Sequence, residues 1–103
     1  DEADLLNLAL FGCRAKDWAE NNPALALQNL NIRDTASINQ LVVLANIESF
    51  NSELIKRNVS QEERFSILQK MAQEQLSSLE AHNAESNFRK LTDTNISPKE
   101  LDI

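Results

Sequence analysis

The sequence predicts an all-α protein, a small helical bundle built on a long antiparallel helix hairpin. Only one of the 103 residues is Gly, whereas the turns and bulges of β-sheets usually depend on Gly. Apolar residues recur at helical spacing along most of the chain. Two long stretches of this kind, about residues 35–57 and 61–90, are separated by a turn of about three residues. A connection this short makes the two helices antiparallel neighbours.

The first helices are predicted to be short. Residues 2–11 place apolar side chains at helical spacing after acidic residues in the first turn, and Gly12 follows as a left-handed cap. A second short helix, about residues 15–20, ends at Asn21-Asn22-Pro23, because a residue before Pro avoids the helical conformation. Residues 24–33 are predicted to form a loop or a single turn.

The first long helix is predicted to begin at Asp34 or Thr35, either of which can cap its first turn. It is predicted to end near Arg57, with Asn58 as its cap. Its apolar residues form two stripes: Ile38, Leu41 and Ala45 on one, and Val43, Ile47, Phe50 and Leu54 on the other. Because residues 41–45 are apolar all round, we expect this helix to be the central one and to be buried on most sides.

The second long helix begins with a capping box, Ser60-Gln61-Glu62-Glu63. Its apolar residues include a seam close to a/d spacing, formed by Phe65, Leu68, Ala72, Leu76 and Leu79. This helix is longer than the helix it pairs with, so part of the seam is predicted to stay exposed. An exposed apolar seam favours a dimer. Residues 81–103 are predicted as a looser extension, in which Ser97 caps a terminal turn.

Composition excludes several classes of protein. With 42% hydrophobic and 25% charged residues, the chain lies outside the composition of disordered proteins. One Cys cannot form an internal disulfide, which argues for the cytoplasm. The longest apolar run, residues 41–45, is far shorter than the about 20 residues of a membrane span. A net charge of −6 argues against direct binding of nucleic-acid phosphates. A chain of 103 residues is predicted to form a single helical domain. Because it begins with Asp1 and not Met, it is also predicted to be cut from a longer protein.

No catalytic, cofactor or metal site is predicted, and the protein is not expected to be an enzyme. Cys13 is followed by a basic residue, and a neighbouring cation can activate a thiol, but a packed Cys at a helix end is the simpler interpretation. His82 is the only His and lies in a polar stretch, so no set of metal ligands forms around it. Lys56, Arg57 and Arg64 are expected near the hairpin tip, as a small positive patch or as solvated cations.

Several stretches follow one another in the order of a known protein family. They are DEADLLNLALFG (residues 1–12), AKDW (15–18), NP (22–23), NIRD (31–34), ASINQLVVLANIES (36–49) and SQEER (60–64). This order resembles the C-terminal region of bacterial and phage KilA-N domain proteins, over roughly residues 1–80. In that family the KilA-N domain, which is regarded as DNA-binding, lies upstream of this segment. The resemblance implies that DNA is contacted only through a domain absent from this chain.

The sequence leads to two hypotheses for function. The first is a non-catalytic module for oligomerisation or partner binding, acting as a homodimer. The alternative is a small-ligand or effector-sensing domain, in which Trp18 and Arg33 bracket an anionic group. A purely structural interpretation also exists, in which Arg33 pairs with an acid and Asp34 caps the central helix. The candidate interaction residues are Trp18, Arg33, Asp34, Phe65, Leu68, Ala72, Leu76 and Leu79.

Overall fold

The computed structural model describes residues 1–92, and within that range it contains five helices and no strand. They are α1 (Glu2–Phe11), α2 (Ala15–Asn21), α3 (Pro23–Ala26), α4 (Ile38–Lys56) and α5 (Gln61–Thr92). The predicted all-α bundle with a long helix hairpin is confirmed. The predicted terminal turn at Ser97 lies outside the described residues.

Three predicted helix ends are formed as the sequence indicated. Gly12 ends α1 with a φ of +77°, and its amide donates to the carbonyl of Leu8 at 3.1 Å. Asn58 follows α4 with a φ of +59°, a left-handed conformation that Asn tolerates better than most residues. At the start of α5 the Ser60 hydroxyl oxygen accepts a hydrogen bond from the amide of Glu63 at 3.2 Å, which is the Ser60 side of the predicted capping box.

The start of α4 differs from the prediction. Its cap is Ser37, whose hydroxyl oxygen accepts from the amide of Gln40 at 3.1 Å, while the Gln40 side chain accepts from the amide of Ser37 at 2.8 Å. The predicted cap at Asp34 or Thr35 is therefore wrong. Both side chains are engaged in the preceding turn, where Asp34 accepts from the amide of Asn31 and Thr35 donates to a backbone carbonyl.

The core forms where α1 lies against both helices of the α4–α5 hairpin. Each helix contributes aliphatic side chains at helical spacing, so that one stripe of each helix is removed from water. The buried cluster consists of Leu5, Leu6 and Ala9 from α1, Val43, Leu44, Ile47 and Leu54 from α4, and Leu68 and Ala72 from α5. Helices α2 and α3 and the following turn connect α1 to α4.

The molecule is a thin slab. Its extents are 51 × 40 × 15 Å, and the smallest of these corresponds to two helices stacked about 8–10 Å apart. The radius of gyration is 17.9 Å, whereas a compact domain of this length has one of about 13 Å. Each long helix therefore has one side that faces no other helix of the described chain.

Candidate interaction surface

A buried ionic clasp joins the three main helices. The Arg64 guanidinium donates from Nε to Asn51 Oδ1 at 3.0 Å, from Nη1 to the carbonyl of Val59 at 2.8 Å, and from Nη2 to Glu2 Oε2 at 2.8 Å. Asn51 Nδ2 donates to the other oxygen of Glu2 at 2.8 Å. Only 10% of the Arg64 side chain is exposed. The prediction of Arg64 as a solvated cation or part of a positive tip patch is therefore wrong, because Glu2 and Asn51 supply its partners inside the fold.

A second polar contact holds the loop before α4. Arg33 Nη1 donates to Glu48 Oε1 at 3.0 Å, and Arg33 Nε donates to Oδ1 of the buried Asn7 at 3.4 Å. The structural interpretation of Arg33 as the partner of an acid is thus confirmed. An anionic ligand at Arg33 would have to compete with the Glu48 carboxylate.

Trp18, predicted beside Arg33 at a ligand pocket, and Asp34, a candidate interaction residue, have local structural roles. Trp18 is half-buried on α2, and its carbonyl accepts a hydrogen bond from Asn22 Nδ2 at 2.8 Å, which helps to end that helix. Asp34 is exposed, and its carboxylate accepts from the amide of Asn31 at 2.8 Å. The Asn31 side chain in turn accepts from the amide of Asp34. Asp34 therefore fixes the turn that contains Arg33.

The predicted seam on α5 is fully covered within the monomer at two of its five residues. Leu68 and Ala72 are 0% and 1% exposed and belong to the core. Phe65, Leu76 and Leu79 are half-buried and pack against that core. The expectation that this seam remains available to a partner is wrong for Leu68 and Ala72, because α1 and α4 together cover them.

Among the described residues, three of the six exposed large apolar side chains lie together on the outer side of α4. Ile38 is 81% exposed, Leu41 43% and Val42 45%, and Ala45 is also exposed. These four residues, which we name the α4 outer stripe, have the i, i+3, i+4, i+7 spacing of one helix face. The opposite side of α4 carries the buried core residues. The helix is therefore covered on one side and not, as predicted, on most sides.

A groove lies between α4 and α5. Its volume is about 490 Å³, and its apolar lining comes from Phe50, Leu54 and Met71. Glu53 and Arg57 stand at its edge as an exposed ion pair, with 3.5 Å between Arg57 Nε and a Glu53 oxygen. The edge of this groove is thus charged, in contrast to the α4 outer stripe.

Titratable groups do not converge on a reactive centre in residues 1–92. The side-chain hydrogen bond from Arg14 lowers the pKa of Asp17, and the same contact raises the pKa of Arg14, but both side chains lie at the surface. Cys13 is half-buried and His82 is exposed. Within the described residues, no group of three His, Cys, Asp or Glu side chains could hold a metal ion.

None of the described helices combines the length and apolar character needed to cross a bilayer.

Comparisons with known proteins add no assignment. No protein-family model, curated protein or solved structure matches this chain.

Proposed function

We propose that this chain is a non-catalytic oligomerisation module of a cytoplasmic DNA-binding protein of the KilA-N type. Two copies associate through their helices and hold two DNA-binding domains, which lie outside this chain, at a set distance. The observation that carries the proposal is the incompletely closed fold. The radius of gyration is 17.9 Å, against about 13 Å for a compact domain, and the α4 residues Ile38, Leu41 and Val42 remain 43–81% exposed.

The length of α5 also supports association. The side chains of Asn83 and Asn39 meet at 3.3 Å, and Asn39 is the second residue of α4. Beyond this level α5 continues to Thr92, which corresponds to about 14 Å of helix at 1.5 Å per residue. This stretch runs past the end of its partner helix and is left for a second copy to cover.

The negative charge of the chain supports the proposal that DNA is bound by another domain and not by this module. A net charge of −6 opposes contact with phosphates, since such contact depends on clustered Lys and Arg. The buried Arg64 is paired inside the fold with Glu2 and Asn51, and Arg33 is paired with Glu48. These internal pairs also weigh against the effector-sensing alternative at Arg33.

Sedimentation equilibrium of the full chain tests the proposal. We expect the weight-average mass to rise from the monomer value of 11.6 kDa towards twice that value between about 10 and about 300 µM, as for a micromolar equilibrium. A mass that stays at the monomer value throughout this range refutes oligomerisation.

A further inference from the structure

We infer that the α4 outer stripe is the surface that binds a second copy of this chain, helix against helix, with the same residues contributed by both copies. This inference rests on the proposed oligomerisation and assigns its interface. The stripe consists of Ile38, Leu41, Val42 and Ala45, and it is exposed on the side of α4 that faces away from the core.

The occupant follows from the charges around the stripe. Residues 38–47 contain no charged side chain, although one residue in four of the chain is charged. The first charged residue after them, Glu48, is already paired with Arg33. The stripe offers no charged side chain that would attract a basic or an acidic partner. Two copies of this neutral face can pack together without desolvating a charge. A symmetric pair uses one such face from each copy.

Other exposed apolar residues fit this role less well. Ile67 stands on α5 close to Lys70 and Glu74, and these three residues line one shallow depression. The α4–α5 groove has the Glu53–Arg57 pair at its edge. A second copy placed on either surface would have to desolvate these charged side chains, whereas the α4 outer stripe carries none.

The area of the stripe sets the expected strength. Two helices that meet over about two turns bury on the order of 400 Å² per copy, which is about half of the roughly 800 Å² per partner in standard complexes. We therefore expect a weak dimer with a micromolar dissociation constant. Because both copies are acidic while the contact is neutral, higher salt screens their repulsion and strengthens association. An interface made of ion pairs would weaken instead.

The test compares three single substitutions by sedimentation equilibrium at matched concentrations, with helix content and melting temperature followed by circular dichroism. Ile38→Glu and Leu41→Glu place a charge in the stripe. Ile55→Glu is the matched control, since Ile55 lies on the same helix and is 44% exposed against 43% for Leu41. Ile38 is the first residue of α4, where an acid is favoured by the helix dipole. Ile38→Glu therefore keeps the monomer folded even if Leu41→Glu does not.

We expect the two stripe variants to raise the dissociation constant at least about tenfold, a change of about 1.4 kcal/mol, while Ile55→Glu stays within about twofold of the original chain. If the original chain dimerises and the stripe variants dimerise equally well, the assignment of the interface is wrong and the proposed oligomerisation stands. The assignment is also wrong if Ile55→Glu disrupts the dimer as strongly. A monomeric original chain refutes both proposals.

Discussion

Replacement of Arg64 by Ala should cost more stability than any other single removal of a charge in the described chain. The Arg64 guanidinium makes three hydrogen bonds with only 10% of its side chain exposed. Its loss leaves two acceptors without their donor, the Oδ1 of Asn51 and the carbonyl of Val59. Asn51 is only 3% exposed. A buried polar group left unpaired costs about 1–3 kcal/mol.

The ion pair adds less than these two bonds. The Glu2 side chain is 46% exposed, so water can hydrate its carboxylate once Arg64 is gone, and the Coulomb gain is reduced by screening. We therefore expect Arg64→Ala to lower the free energy of unfolding by about 3–4 kcal/mol. This is a large part of the about 5–15 kcal/mol that holds a typical domain together.

Urea unfolding followed by circular dichroism measures this loss, as a fall of about 2 M in the midpoint with an unchanged slope. Arg57→Ala is the matched control, since Arg57 is 71% exposed and reaches Glu53 only at 3.5 Å. It should change the free energy of unfolding by less than about 0.5 kcal/mol. If the two variants differ by less than about 1 kcal/mol, a threshold set by the cost of one buried unpaired group, the Arg64 guanidinium is hydrated and the description of the clasp is wrong.

Two further predictions concern the cap of α4 and the predicted seam on α5. Ser37→Ala should lower the free energy of unfolding by about 1 kcal/mol, since it removes the α4 cap. Thr35→Ala should cost less than half as much, and equal losses in urea unfolding would contradict the position of the cap. Leu68→Ala should cost about 2–5 kcal/mol, because the side chain is fully buried, yet leave the self-association measured by sedimentation unchanged while the chain is folded. A stable Leu68→Ala variant that no longer associates would restore the α5 seam as the interface.

The helices and most of their ends could be predicted because their causes are local. A left-handed Gly12, an Asn58 after the last turn of α4 and a Ser60 three residues before Glu63 each act within a few positions of the chain. The start of α4 was missed although it is equally local. Three residues able to cap lie between positions 34 and 37, and the decisive signal is Gln40, which completes a capping box with Ser37.

The candidate surface could be predicted only in part. Both stripes of α4 are visible in the sequence, but their hydrophobicity alone does not say which one faces α5. The burial of Arg64 was beyond local reasoning, because its partner Glu2 lies 62 residues away. A guanidinium is buried only where such partners are already in place, and a single sequence gives no sign of that pairing.

The long separation between Glu2 and Arg64 has a consequence for synthesis on the ribosome. Within this chain α1 leaves the ribosome before the hairpin, and Arg64 follows Glu2 by 62 residues, which takes about 3–12 seconds at roughly 5–20 residues per second. Over that interval Leu5, Leu6 and Ala9 have no α5 to cover them. During this interval the nascent chain presents the apolar face of α1 to chaperones, because the α4–α5 hairpin that covers this face has not yet been made.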